Sequence, residues 1–319
     1  DTSCYSTSVA LVDQSGNLIF ERRRLLPVAA GEKGLRQSQA FFYHHKNLPE
    51  LMKELQEALP YPLAERLKAI GVSEKPCPSQ DSYMPVFLAG TELGQSLAAA
   101  LRVPLIRTTH QEGHLMAVLW DTQIQPHWPF FAFHLSGGTT DLMQIDGVEY
   151  KPGFSFNYKV LTGASDIPAG QLVDRVGVDL GLSFPAGPAL EQLALKLGAQ
   201  TLPKQQISAS VHQGKISFSG AEAQAKKMLL QKAAPEEIAR SVEHCIAGTL
   251  VKALQYYTDI AKPEALPREV IFMGGVAGNQ YIRQRLVHRL ARQQIPLLCY
   301  FAQSKFSSDN AVGVAIIAM

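Results

Sequence analysis

The feature that most constrains this chain is a hairpin plan that occurs twice, about 130 residues apart. In the first copy, apolar strands at 8–12 and 18–20 flank a turn and follow a polar corner. In the second copy, strands at 130–135 and 141–145 flank a glycine-rich corner, and a further turn at Asp146 and Gly147 leads to a third strand at 148–150. A plan repeated at this distance predicts a duplicated α/β unit.

The remaining elements follow from periodicity. They alternate strands with helices, which predicts an α/β protein. The predicted helices are 48–59, 91–102, 110–120, 238–260, 279–293 and one from about Ser308, and the predicted strands are 69–72, 103–106, 269–272 and 297–301.

Composition excludes several classes of protein. With 46% hydrophobic side chains and a net charge of +2 among 319 residues, the chain can bury a large core and is not intrinsically disordered. The near-neutral charge requires no nucleic-acid or membrane partner. Four scattered cysteines and the lack of an apolar run of roughly 18 to 20 residues predict a cytoplasmic protein without a membrane span. The opening at Asp1 resembles the second half of a strand, so we expect a few residues to precede it.

The corner at 136–141 has the composition of a phosphate-binding turn. Gly137 and Gly138 would let a phosphate approach the backbone, consecutive N–H groups form an anion nest, and hydroxyl groups such as that of Ser136 donate further hydrogen bonds. By duplication, the polar corner at 2–7 would face it across a cleft. An ordinary glycine hairpin is the alternative.

Two histidines in the segment His110-Gln111-Glu112-Gly113-His114 are spaced for one metal ion. Four residues apart, their imidazoles share one face of a helix. The segment is not a peptidase HExxH motif, because Glu112 stands one place late. Asp309 is the candidate third ligand. Structural histidines and a helix-capping Asp309 are the alternatives.

Two further positions are consistent with a nucleotide site. Asp174 follows a glycine-containing loop and can accept hydrogen bonds from a ribose, and Asn279 follows a Gly-Gly turn that opens a helix. A solvated Asp and an ordinary tight turn are the alternatives. Arg285, Arg289 and Arg292 line one face of that helix, where they are either solvated or able to contact phosphates.

Taken together, these motifs are similar to those of a known family. The chain resembles the tRNA threonylcarbamoyladenosine transferases, TsaD and its archaeal and eukaryotic relatives, from Asp1 to about Ala318. The resemblance is strongest over 91–114, 130–190 and 269–313. The motifs are 1–4 (DTSC), 110–114 (HQEGH), 136–140 (SGGTT), 169–174 (AGQLVD), 185–188 (PAGP), 218–220 (FSG), 274–279 (GGVAGN) and 308–310 (SDN).

The resemblance implies an actin-like, sugar-kinase-like ATPase fold with two lobes around a nucleotide cleft. One lobe would be formed by residues 1–126 together with a returning C-terminal helix at 306–319, and the other by residues 127–305. It implies that His110, His114 and Asp309 hold one iron or zinc ion. It also implies an adenine nucleotide, threonylcarbamoyl-AMP or ATP, held by a second set of residues. That set is His134, Leu135, Ser136, Gly137, Gly138, Asp174, Gly187 and Asn279.

The implied reaction moves a threonylcarbamoyl group from threonylcarbamoyl-AMP to N6 of adenosine 37 in tRNA. Implied partners are tRNA, an accessory paralogue of the same fold and a second copy of the chain in a dimer. A carbamoyltransferase acting on a small molecule or protein, and a non-catalytic nucleotide-binding scaffold, are the alternatives.

The chain departs from the family pattern around the acyl acceptor. Tyr5 and Ser6 stand where the family carries acids, Thr139 replaces a histidine, and Glu222 replaces a lysine. A loop at 74–79 replaces the family's Ala-Gly-Pro-Gly segment. These changes predict a divergent paralogue in which metal and nucleotide binding are retained more surely than transfer to tRNA.

Overall fold

The computed structural model describes residues 1–3, 5–29, 32, 34–78, 82–149, 154–261 and 266–319. Cys4, part of one family motif, lies outside the described residues. The N-terminal half alternates strands and helices. Its elements are β1 (Ser6–Val12), β2 (Leu18–Leu25), α1 (Gln37–Ala58), α2 (Leu63–Arg66), β3 (Ile70–Lys75), α3 (Phe87–Leu101), β4 (Leu105–Thr109) and α4 (His110–Thr122).

The C-terminal half begins with three strands and becomes mainly helical. Its elements are β5 (Phe130–Leu135), β6 (Thr140–Glu149), β7 (Ser155–Gly163), α5 (Ala169–Asp179), α6 (Gly187–Leu195), β8 (Ser210–His212), β9 (Lys215–Ser217), α7 (Ser219–Leu230), α8 (Pro235–Ile260), β10 (Glu269–Met273), α9 (Gln280–Arg292), β11 (Leu298–Phe301), α10 (Ser304–Ser307) and α11 (Val312–Ile317). Within the ranges described, no helix is both long and apolar enough to cross a bilayer.

The larger sheet has the strand order β11-β10-β5-β6-β7. β10 is parallel to both β11 and β5, whereas β5, β6 and β7 are antiparallel. The predicted turn at Asp146 and Gly147 is wrong, because β6 continues through it to Glu149. A register shift between Ile145 and Gly147 leaves Asp146 without a partner on β7, as in a bulge, while Gly147 pairs with Asn157. The third strand is therefore β7, not 148–150, and Tyr150 lies outside the described residues.

The N-terminal half contains two separate two-stranded sheets. β1 pairs with β2 in the predicted antiparallel hairpin, and β3 pairs with β4 in parallel. A cavity of about 680 Å³ is lined by residues of β1, β3, α1, α3 and α11. Val9, Leu55, Val72 and Leu97 contribute apolar side chains to its wall.

Three helices begin four or more residues from their predicted starts, and one of them is α3, which begins at Phe87 rather than near 91. α1 begins at Gln37 rather than near 48, because the buried face that includes Leu48 and Leu51 already starts at Ala40. The C-terminal helix α11 begins at Val312 rather than near Ser308. It starts late because the side chain of Asn310 accepts a hydrogen bond from the Val312 N–H and turns the chain just before the helix.

The alternation of side chains along β5 determines which of them face the histidine cluster described below. Phe131, Phe133 and Leu135 enter the core beneath α5 and α8. Phe130 and Ala132 lie on the opposite face and contact residues of α4 and α11. Because successive residues of a strand point to opposite faces, His134 lies on the α4 side.

Candidate metal and nucleotide site

The first turn of α4 sets the positions of two imidazoles. The Thr109 side chain accepts a hydrogen bond from the Glu112 N–H, and the Glu112 side chain reaches back to the Thr109 N–H in a capping box. The helix thus starts at His110, and His114 lies one turn later on the same face. Their ring centroids are 4.4 Å apart.

Asp309 closes this pair from the other end of the chain. Its Oδ1 atom lies 3.3 Å from His110 Nε2 and 3.2 Å from His114 Nε2. Asp309 does not cap α11, because the Val312 N–H at the start of this helix donates to the Asn310 side chain instead. The structure therefore brings the two histidines and the distant carboxylate to one point.

His134 adds a third imidazole to this point. Ligand atoms of His110, His114 and His134 all lie within 4.8 Å of one another, and the three residues are buried. The ring centroid of His134 is 5.1 Å from that of His114. The family pattern groups His134 with the substrate residues; the alternation of β5 opposite α4 is the signal that would have grouped it with the other histidines.

Neighbouring groups orient two of these rings. Asp1 Oδ2 lies 3.5 Å from His110 Nδ1, on the edge of the ring opposite the Nε2 atom that faces Asp309, so the two carboxylates hold this ring between them. Gln111 approaches His134 Nδ1 at 3.5 Å while its amide oxygen accepts a hydrogen bond from the Tyr158 hydroxyl at 2.6 Å. The buried Nε2 of His134 has no hydrogen-bond partner within the described ranges.

The charge states suit a cation. Burial lowers the pKa of His114 and the adjacent His110 lowers it further, against the opposing effect of Asp309. Burial, then His114 and His110, hold the pKa of His134 well below its usual value. Burial alone would raise the pKa of Asp309, but hydrogen bonds from His110 and His114 hold it well below its usual range. The cluster thus offers the neutral imidazoles of His114 and His134 beside an ionised carboxylate, and imidazole and carboxylate are the ligand types of zinc and iron sites.

Glu112 is a structural residue of this site. Its Oε2 atom accepts hydrogen bonds from the side-chain hydroxyls of Thr108 and Thr109 and from the backbone N–H of Thr109. Its Oε1 atom accepts from the Ser155 hydroxyl at 2.9 Å and the Phe156 N–H at 3.1 Å. A carboxylate that already accepts from five donors has no lone pair directed at a water. Glu112, which stands between the two histidines in the sequence, therefore ties α4 to β7.

Two glycines let α4 and α11 cross closely. A Cβ atom on Gly313 would lie 1.8 Å from the Gly113 carbonyl oxygen, and one on Gly113 would lie 2.9 Å from a methyl of Val314. The glycine within the histidine motif therefore allows α11 to approach. This approach positions Asp309, four residues before Gly313.

The glycine corner between β5 and β6 is open but internally bonded. No atom lies within 4 Å of a Cβ built on Gly137 or Gly138. The Ser136 hydroxyl accepts hydrogen bonds from the N–H groups of Gly138, at 3.3 Å, and Thr139, at 3.0 Å. Two donors of the expected anion nest are thus already occupied, and a phosphate there would replace or share the hydroxyl.

Asp174, within α5, contacts the loop that leads to α6, and Gly187 follows that loop. The Asp174 carboxylate accepts a hydrogen bond from the Ala186 N–H at 2.8 Å, and burial raises its pKa to about 6. Gly187 is the first residue of α6, with ordinary room for a Cβ 4.0 Å from Val173. Asp174 therefore holds this loop in place, whatever it contacts in a ligand.

Asn279 is held by two contacts at the start of α9. Its Oδ1 atom accepts from the Ile282 N–H at 2.9 Å, and its Nδ2 donates to Glu243 Oε1 at 2.6 Å. Glu243 is 1% exposed. Burial raises its pKa to about 7, against the Asn279 hydrogen bond and the charge of Arg240.

The buried Glu243 gives a pH dependence of stability. Its raised pKa means that the folded state binds a proton more tightly than the unfolded state, whose value is 4.5. The free energy of unfolding should therefore fall as the pH rises from 4.5 to about 7, by about 3 kcal/mol from this group. Urea unfolding of Glu243→Gln across this range should show that much less pH dependence; curves parallel to those of the unmodified chain would contradict it.

The residues that depart from the family pattern have partners of their own. Tyr5 contacts Phe184 edge to face, with ring centroids 4.9 Å apart, so the N-terminal corner touches the loop before α6. Glu222 binds Arg175 at 3.0 Å and Lys226 at 2.5 Å. The carboxylate at 222 thus neutralises two cations, whereas the lysine of the family pattern would repel them.

Solved structures with the same architecture have low sequence identity to this chain. The match to HypF of T. kodakarensis covers 87% of this chain and 42% of the HypF chain, with a TM-score of 0.54 at 14% identity. Component A of the (R)-2-hydroxyglutaryl-CoA dehydratase of Acidaminococcus fermentans matches 98% and 93%, with a TM-score of 0.53 at 12% identity. A ROK family glucokinase from Streptomyces griseus matches 98% and 96%, with a TM-score of 0.52 at 13% identity. The predicted actin-like ATPase fold is confirmed.

Sequence comparison identifies the family. A tRNA N6-adenosine threonylcarbamoyltransferase of Carboxydothermus hydrogenoformans is 28% identical over 99% of this chain and 89% of its own length. The family model for TsaD, tRNA N6-adenosine threonylcarbamoyltransferase, matches residues 32–316. This match covers most of both lobes, including the three histidines, Asp309 and Asn279. The chain therefore belongs to the TsaD family.

Proposed function

We propose that this chain is a metal-dependent transferase that moves a threonylcarbamoyl group from threonylcarbamoyl-AMP to N6 of adenosine 37 in tRNA. The observation that carries the proposal is the convergence of His110, His114 and His134 within 4.8 Å, with Asp309 Oδ1 3.2 Å from His114. Family membership supports the reaction class.

The donor set fits one iron or zinc ion. Three imidazoles and one carboxylate are the ligand types that these ions bind, and the Nε2 of His134, which has no partner among the described residues, is a buried group that an ion would satisfy. Asp1 would hold the His110 ring in the ligating orientation. A bound ion would act as a Lewis acid that polarises the oxygens of the acyl donor.

The chain's other residues would bind and orient the adenylate. The open corner at Gly137 and Gly138 lies directly after His134, so backbone N–H groups there can receive the phosphate beside the metal site. Asp174 and Gly187 would contact the nucleoside from the loop before α6. Asn279 would act from the start of α9, where helix N–H groups favour an anion. The tRNA amine is then the only nucleophile required.

The test is transfer of label. Protein loaded with Fe²⁺ or Zn²⁺ is incubated with threonylcarbamoyl-AMP labelled in its threonine and with unmodified tRNA, and nucleosides are analysed by mass spectrometry. We expect label on adenosine 37 with the loaded chain and none with His110→Ala. The exposed His127 gives the matched control, since His127→Ala should retain transfer. Metal-loaded protein that leaves the tRNA unlabelled would refute transfer to tRNA.

A second candidate is carbamoyl-type transfer to a small molecule or protein. The Tyr5–Phe184 contact favours it. Tyr5 stands where the family carries an acid, and its ring joins the N-terminal corner to the loop before α6. If this contact excludes tRNA, Tyr5→Ala should raise the rate of tRNA labelling, and a small-amine acceptor should be used by the unmodified chain. Unchanged tRNA labelling in Tyr5→Ala, without small-amine turnover, would exclude this candidate.

A further inference from the structure

A cationic cavity along α9 takes no part in the site above. Its volume is about 370 Å³, and it is lined by Arg285, His288, Arg289, Arg292 and Gln293. The arginines are spaced by four and then three residues, so α9 projects them from one side. Three positive charges therefore occupy roughly 10 Å of helix. We call Arg285, Arg289 and Arg292, with His288, the α9 arginine face.

No acidic side chain compensates these charges in the part of the chain that the structure describes. Several arginines elsewhere have carboxylate partners; Arg24, for example, pairs with Glu54, and Arg175 with Glu222. The three arginines of the α9 arginine face form no ion pair with any described carboxylate. Like charges this close repel one another, so an anion bound between them would be favoured.

Arg289 is held in place by α8. Its Nη2 atom donates to His244 Nε2 at 2.8 Å, and its guanidinium packs at Gly248, which has no side chain to obstruct it. Burial, then Arg289 and Arg285, lower the pKa of His244 to about 4, so the imidazole is neutral and accepts this hydrogen bond. The arginine is thus oriented but not neutralised.

Arg285 has donor capacity left. Its Nε atom is buried and has no hydrogen-bond partner among the described residues. A buried guanidinium N–H without an acceptor is costly, and a phosphate oxygen is the acceptor that a guanidinium fork fits best. The Nε atom itself is closed to solvent, so a ligand would meet the terminal nitrogens of the fork, and the uncompensated charge of the α9 arginine face indicates a phosphate ligand.

We propose that the α9 arginine face binds the phosphodiester backbone of RNA. This rests on the proposed function, in which tRNA is the acceptor. α9 begins directly after Asn279, at the candidate nucleotide site, and Arg292 lies roughly 20 Å further along the helix. An RNA that delivers a base to the cleft can therefore lay its backbone along this helix, and more than one phosphate is needed to use all three guanidiniums.

The experiment measures binding of fluorescently labelled, unmodified tRNA at several KCl concentrations. Arg285→Gln/Arg292→Gln is compared with Arg22→Gln/Arg24→Gln, which removes the same charge from arginines that Glu54 already pairs. Arg289 is left unchanged because it packs against α8. We expect the α9 variant to bind about tenfold more weakly at low salt and to lower the slope of log K against log salt by about 2. The control should match the unmodified chain.

Several results would overturn the proposal. These are an unchanged slope in the α9 variant, an equal loss in both double variants, or binding of inorganic phosphate at this face without any binding of tRNA. Arg292→Gln alone, at an exposed position, guards against misfolding and should lower the slope by about 1.

Failure here and failure of the proposed function are distinguishable. If salt-dependent tRNA binding requires the α9 arginines but no label is transferred, RNA binding by this face is supported and the proposed reaction is refuted. If label is transferred but the salt slope does not depend on these arginines, RNA binding by this face is refuted and the proposed reaction is supported.

Discussion

Replacing His114 with alanine is expected to weaken binding of Zn²⁺ or Fe²⁺ by at least about 100-fold. Loss of a group that only orients a ligand typically costs 10- to 100-fold, and His114 is placed to be a ligand itself. Its Nε2 atom lies 3.2 Å from Asp309 Oδ1, so its removal also takes a hydrogen bond from that carboxylate. Apparent dissociation constants come from competition with a chromophoric chelator, and stoichiometry from elemental analysis.

Two further variants sharpen this prediction. His134→Ala should also weaken the metal and should change the visible absorption of the Co²⁺-substituted protein, because one nitrogen ligand is lost. His127→Ala, at a side chain that is 89% exposed, should leave affinity and spectrum unchanged. If His134→Ala matches this control, the site has three ligands from this chain and His134 belongs with the substrate residues.

Replacing Gly313 with alanine is expected to destabilise the protein by about 3 kcal/mol or more. The new Cβ would lie 1.8 Å from the Gly113 carbonyl oxygen and 2.8 Å from the Ala117 nitrogen, so α4 and α11 must separate. Overpacking usually costs 1 to 3 kcal/mol, and here the obstruction is backbone that cannot rotate away. Urea unfolding measures the loss.

Gly220 provides the matched control for this substitution. It also lies in the first turn of a helix, but a Cβ there meets no atom within 4 Å. Gly220→Ala should therefore be neutral or stabilising by up to about 1 kcal/mol. Because Asp309 precedes α11, Gly313→Ala should also lose metal affinity. An alanine at 313 that is as stable as the Gly220 variant would show that the two helices do not cross as described.

Most regular elements could be predicted from local patterns. The period of α8, the hairpin of β1 and β2, and the strand and helix around Asn279 are specified by side chains close in sequence. The error at Asp146 and Gly147 arose where strand pairing decided the outcome. β6 continues past these residues because β7 supplies a partner strand and a bulge at Asp146 absorbs the extra residue.

The site was predicted less completely. The spacing of His110 and His114 indicates a shared helical face, and Asp309 was joined to them only through the family resemblance and by its place near a helix. The group around Tyr5 had no local signal, since its contact with Phe184 joins segments about 180 residues apart. Likewise, Glu222 is understandable only beside Arg175.

By itself, the sequence determined the family, the two-lobed plan and the identity of each donor side chain, because these depend on residue type and on spacing within single elements. Only the tertiary structure decided that His134 joins the two helical histidines, that Glu112 is consumed by hydrogen bonds, and that three arginines of α9 lack described counter-charges. Such outcomes depend on which faces of distant elements meet. That is set by close approaches such as the crossing at Gly113 and Gly313, for which no short stretch of sequence carries a signal.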